Sequence, residues 1–115
     1  MQYLLLIYSE EATLGRMSEG ERGQVVAAFN AYTTALKESG VYVGSNRLKP
    51  IANATSVRLR NGAKQVQDGP FAETKEQLGG YYLIEVPDLD DAIAWAARLP
   101  SAAFGTIEVR PIWQM

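Results

Sequence analysis

Six consecutive residues near the start of the chain, Tyr3-Leu4-Leu5-Leu6-Ile7-Tyr8, are all apolar or aromatic. Side chains alternate between the two faces of a strand, so a strand that is apolar at every position needs cover on both sides. Tyr81-Tyr82-Leu83-Ile84-Glu85-Val86 makes nearly the same demand. Both segments are expected to be inner strands of one sheet, and the rest of the architecture follows from what is left to cover them.

Two helices are legible. Ser18-Glu19-Gly20-Glu21 has the spacing of a capping box, Val25, Phe29, Tyr32 and Leu36 recur at helical intervals, and Gly40 supplies a stop. A helix is therefore predicted over about residues 18–39. Asp88 suits the N-cap of a second helix whose stripe is Leu89, Ala92, Ile93, Ala96 and Leu99, ended by Pro100. Residues 9–17 read as a loop and 41–47 as a strand. Residues 55–60 and 63–67 flank Asn61-Gly62 as a tight hairpin. A last strand, 106–113, alternates Ile107, Val109 and Trp113 with Glu108, Arg110 and Ile112.

Without the hairpin the order is β-α-β-β-α-β, the split arrangement of ferredoxin-like α+β folds. Right-handed crossovers then place both helices on one face of an antiparallel sheet. The other face stays bare, and inner strands that are apolar on both sides cannot leave it wet. A second copy packing its sheet against the first is the simplest remedy. The expectation is a homodimer of single-domain protomers, residues 1–115, with an inserted β-hairpin and a cleft between the sheets.

Composition narrows the chemistry. The chain has 115 residues, 47% hydrophobic and 21% charged, and a formal net charge of −2. Its eleven basic residues are scattered, which argues against a nucleic-acid partner. No run approaches the ~18 apolar residues of a membrane span, and the first apolar run is too short for a signal peptide, so no membrane association and a cytoplasmic location are expected. There is no cysteine and no histidine. Disulfides, thiolate catalysis and the usual metal sites are excluded, and no cofactor or metal is expected. Any proton transfer must use carboxylates, Lys, Tyr or hydroxyls.

The stretch Asp68-Gly69-Pro70-Phe71-Ala72-Glu73-Thr74-Lys75-Glu76 concentrates turn chemistry and charge before Leu78-Gly79-Gly80-Tyr81-Tyr82-Leu83-Ile84-Glu85. Together with the start Tyr3–Tyr8, the helix opening Asp88-Leu89-Asp90-Asp91-Ala92 and the ending Glu108-Val109-Arg110-Pro111, it resembles the signature of DGPF-domain proteins within the YCII-related family. The resemblance implies a dimeric α+β barrel of ferredoxin-like protomers. Some relatives look like enzymes acting on muconate or lactone-type compounds through a His–Asp pair, and DGPF relatives are often encoded beside extracytoplasmic-function sigma factors. A chain without histidine cannot carry that pair.

Asp68 is the first candidate: a general acid/base at a pocket mouth, or a carboxylate capping the turn it precedes. Gly69 and Pro70 shape that turn. Phe71 is a plug or a platform for a ligand, and Glu73 and Lys75 are a solvated pair or pocket residues. Arg58, Arg60, Glu85, Glu108 and Arg110 alternate with apolar neighbours, so they are expected to face the inter-sheet space, paired with each other or holding an anion. Gly79-Gly80, which precedes a strand rather than a helix, suits a bulge or a close backbone approach. Tyr8, ending the first strand, can bring its hydroxyl to the same cleft. The reading is a dimer that binds a small polar or anionic ligand between the sheets and the Asp68–Lys75 loop. Two alternatives stand beside it. One is an acid/base isomerase, lyase or hydrolase acting on a small organic acid or lactone through Asp68, with Arg58, Arg110 or Lys75 on the substrate carboxylate. The other is a regulatory partner of a sigma factor.

Overall fold

A computed structural model of the chain describes residues 1–114. Its first strand, β1, spans Gln2–Ser9, and odd and even residues alternate strictly between buried and half-buried. Tyr3, Leu5 and Ile7 enter the core, whereas Leu4, Leu6 and Tyr8 point to the opposite face. The other strands of this sheet are β2 (Tyr42–Arg47), β5 (Gln77–Glu85) and β6 (Thr106–Pro111), in the order β2-β5-β1-β6. All three pairings are antiparallel. The two segments apolar on both faces, β1 and β5, are the inner strands, as their patterning requires.

One face of this sheet is covered by helices α2 (Glu19–Glu38) and α3 (Leu89–Ala97). Ser18 and Glu21 form the expected capping box, the Ser18 Oγ accepting from the Glu21 N–H while the Glu21 carboxylate accepts from the Ser18 N–H. Gly40, at φ 73°, ends α2, with the Val41 N–H donating to the Leu36 carbonyl and the Gly40 N–H to that of Lys37. Asp88 caps α3 by accepting from the Asp91 N–H. Tyr32 and Leu36 bury the second half of α2 against Leu5, Tyr82 and Ile84, and α3 adds Ala92, Ala96 and the following Leu99. Leu89 and Ile93, expected on that stripe, are about half exposed, and Trp95 packs on the core in their place.

Three further expectations need correction. Residues 9–17 contain a short helix, α1 (Glu11–Gly15), because Glu11 is tied at both ends: its N–H donates to Gln77 Oε1 and its carboxylate accepts from the Ile51 N–H. Strand β5 begins at Gln77, before the glycines, and the register with β1 slips between Ile7 and Tyr8, a bulge that Gly79 and Gly80 accommodate. A Cβ on Gly80 would lie 2.9 Å from the Asn46 carbonyl oxygen, so this glycine marks a close approach of β2 and β5. The last strand ends at Pro111, leaving Trp113 outside it and 87% exposed.

The hairpin stands apart. Strands β3 (Thr55–Arg60) and β4 (Ala63–Asp68) form their own two-stranded sheet around Asn61-Gly62, both at positive φ as a type I′ turn demands. It projects as an arm, and the radius of gyration, 16.1 Å, exceeds the ~13 Å of a compact domain of this length. The body is thin, its shortest extent being 18 Å, close to a sheet plus one helix layer. The sheet face away from the helices carries Leu4, Leu6, Leu83 and Tyr81 and has no covering element among the described residues. Among the described residues no helix is long and apolar enough to cross a membrane.

Candidate functional site

The first half of α2 diverges from the sheet. Val26 is 51% exposed, and Val25 and Phe29 are only half-buried, although Tyr32 and Leu36 farther along are core. The gap beneath these turns is a cavity of about 540 Å³. Ile7, Ser9, Gly79, Gly80 and Tyr82 form its sheet side, Val25, Val26, Phe29 and Leu14 its helical side, and Ser101 and Phe104 one end. Its volume falls within the range of small-molecule sites.

Tyr82, on the sheet side, belongs to a fixed aromatic cluster that continues into the core behind the cavity. Tyr32 and Tyr82 meet edge to face at 5.2 Å, Tyr32 and Trp95 at 6.0 Å. The Tyr32 hydroxyl donates to the Trp95 carbonyl at 2.8 Å. Thr33 Oγ1 donates to the Phe29 carbonyl, so its contact with the Tyr82 hydroxyl, at 2.7 Å, has the tyrosine as donor. Burial pushes both phenols above the ordinary tyrosine range, and the Arg98 charge offsets part of this for Tyr32. Both therefore remain protonated near neutrality and act as donors.

The polar lining is sparse and directional. Arg22, from α2, and Arg47, ending β2, are exposed at the mouth, and neither forms an ion pair among the described residues. Ser101 is 2% exposed, and its hydroxyl has no hydrogen-bond partner among the described residues. An unpaired buried hydroxyl costs ~1–3 kcal/mol. The lining thus offers two cations, several hydroxyl and amide groups and an apolar interior, but no carboxylate, amine, thiol or imidazole.

Gly79 and Gly80 line this cavity, but none of the residues expected from the sequence to carry chemistry or hold a ligand does. Asp68 is exposed at the root of the arm, where its backbone pairs with Thr55. Gly69 sits at φ 83°, and the turn it makes is held by Ser56 Oγ donating to the Gly69 carbonyl and Gln67 Nε2 to that of Pro70. Phe71 lies under the Arg58 guanidinium, 3.5 Å from ring centroid to Cζ. Glu73 is exposed, and Lys75 reaches Glu10 at 4.0 Å rather than Glu73. Tyr8 and Arg110 belong to the bare sheet face, where Arg110 pairs with Glu108 of its own strand. Arg58 and Arg60, on the arm, do not border the main sheet.

Arg22 was findable: it stands three residues before Val25 and seven before Phe29, so a cation shares the apolar stripe at the start of α2. Arg47 and Ser101 carry no local signal, because only the tertiary fold brings them to one cavity.

Comparison with known proteins agrees with the motif. A model of the YCII-related domain matches residues 1–115. An uncharacterized protein of Rhizobium meliloti (strain 1021) is 39% identical over 114 residues, covering 97% of this chain and 92% of that protein.

Proposed function

The chain belongs to the YCII-related family, and on that premise we propose that it binds a small amphipathic anion in the cavity under α2. The observation carrying this reading is an apolar cavity whose lining includes two exposed arginines, Arg22 and Arg47, that form no ion pair among the described residues. The apolar body of the ligand packs against Ile7, Val25, Phe29 and Phe104, and its acidic group meets Arg22 and Arg47. A lining of donors and cations without a neutral-pH base suits binding rather than proton transfer. The reading assigns Asp68 no chemistry, since this exposed carboxylate lies outside the cavity.

The protomer is read as ferredoxin-like, supported by the strand order β2-β5-β1-β6 with both long helices on one face. It works as a homodimer in which a second copy covers the bare sheet face, closing an α+β barrel. The accessible surface supports this: 7809 Å², against roughly 6,200 Å² for a compact monomer of this mass.

Calorimetric titration with 1-naphthoate and decanoate tests the ligand class. Binding is expected, with Arg22→Ala and Arg47→Ala each weakening it ~10-fold or more through loss of a charge-assisted contact. Equal binding of the neutral methyl ester, or no effect of either substitution, would sink the reading.

A further inference from the structure

The arm formed by β3 and β4 is a two-stranded ribbon without a packed face. A lone hairpin is at best marginally stable in water. Yet its strands are regular over six paired residues on each side and its turn is well made. Its two faces differ. Alternation and register put Val57, Leu59 and Val66 on one face, with Lys64 toward the tip and Asp68 at the root, and Arg58, Arg60, Gln65 and Gln67 on the other. The arginine face turns back toward its own chain, because Arg58 stacks on Phe71. The apolar face consequently points away from the body, with Val57 60%, Leu59 66% and Val66 56% exposed.

Charge identifies what can cover it. The arm, residues 55–68, contains Arg58, Arg60 and Lys64 and one acidic side chain, Asp68 at its root. The whole chain nevertheless has a net charge of −2, so the remaining residues carry −4. Of the arm's cations, Lys64 shares the outward face with the three apolar side chains, and the acidic body of a second copy complements it. The surface points the same way: the chain exposes about 1,600 Å² more than a compact monomer of its size, about twice the ~800 Å² that a standard interface buries on each partner. The arm is also long enough, since six residues of strand reach ~20 Å and four strands side by side span ~19 Å.

We infer that the arm clasps a second copy of this chain, laying Val57, Leu59 and Val66 on the acidic body of that copy at the rim of the interface between sheets. The inference rests on the dimer reading above and adds a reciprocal exchange of arms to it. Each copy then buries three apolar side chains that it cannot bury alone, and the hairpin gains the packed face it lacks.

Two experiments on the full chain decide it. In the first, sedimentation compares the unmodified protein with Leu59→Asp and Val66→Asp. Because these side chains are solvated in the lone protomer, the substitutions leave its folding intact by circular dichroism, yet each weakens the dimer at least ~10-fold. In the second, Leu59→Cys gives the chain its one thiol, a benzophenone maleimide is attached, and irradiation is followed by peptide mass spectrometry. Cross-links are expected from the arm of one copy to the body of the other. An unmodified protein that is monomeric at ~10 μM overturns the dimer reading and the clasp together. A dimer indifferent to both substitutions, or cross-links confined to the arm's own chain, overturns the clasp while leaving the dimer standing.

Discussion

Gly80 faces the Asn46 carbonyl with no room for a methyl group: an added Cβ would lie 2.9 Å from that oxygen. The obstruction is backbone in a paired strand, which yields only by parting β2 from β5. Gly80→Ala is expected to destabilise the protein by ~1–3 kcal/mol, measured as a lowered denaturant midpoint at unchanged slope. The glycine pair could be read from sequence as a bulge or a close approach, and the fold contains both. Asp68 was less legible. Its neighbours Gly69 and Pro70 do make a sharp turn, but besides the adjacent Gln67 it is Ser56, from across the hairpin, that supplies a side-chain bond holding it. Local sequence indicates a turn; it does not say which strand will reach over to fasten it.

Among the elements, α2 is the most strongly encoded. Its start depends on two reciprocal bonds between Ser18 and Glu21, and Ser18→Ala removes one donor–acceptor pair and costs ~1 kcal/mol, visible in thermal melts. The Ser18 N–H bond first, and the nearby Ser18 hydroxyl second, hold the Glu21 carboxyl below the ordinary glutamate range. A group whose folded pKa is depressed contributes stability above its unfolded pKa and loses it as pH falls through the folded value. The penalty of Glu21→Ala should therefore be full at pH 7 and shrink on acidification below the usual glutamate range, a trend that melts across that window would reveal. Caps and stops are local, which is why α2 was read to within a residue at each end. Helix α1 escaped notice because Gln77 and Ile51, far along the chain, hold Glu11 in place. On α3 the stripe was right in period but rotated, since Trp95 displaces Leu89 and Ile93 from the core. The cavity arises at the same scale: its walls come from α1, α2 and three strands, and no one segment announces it.

At the scale of the molecule, covering layers decide which backbone is protected. Strands β1 and β5 are flanked by neighbours on both sides and by helices on one face, whereas β3 and β4 have only each other. Hydrogen exchange should find the slowest amides in β1 and β5 at every protein concentration. Arm amides should be protected in concentrated protein and exchange faster by orders of magnitude once dilution separates the copies. Arm protection that ignores concentration would count against exchange of arms. The two-sided apolar strands made the bare sheet face legible from sequence, but the arm's separation from the sheet was not. Hairpin patterning fixes how two strands pair and is silent about what they lie against.

The two ends of the arm are register partners, Thr55 opposite Asp68, so the body is joined to it at a single place. Residues can be added or removed in pairs at the tip without altering the spacing at that root or the face on which any remaining side chain lies. Reach thereby becomes a dimension that natural variation can adjust independently of the fold. Among relatives, the length of this ribbon would act as a ruler, setting how far from its own sheet each chain can grasp.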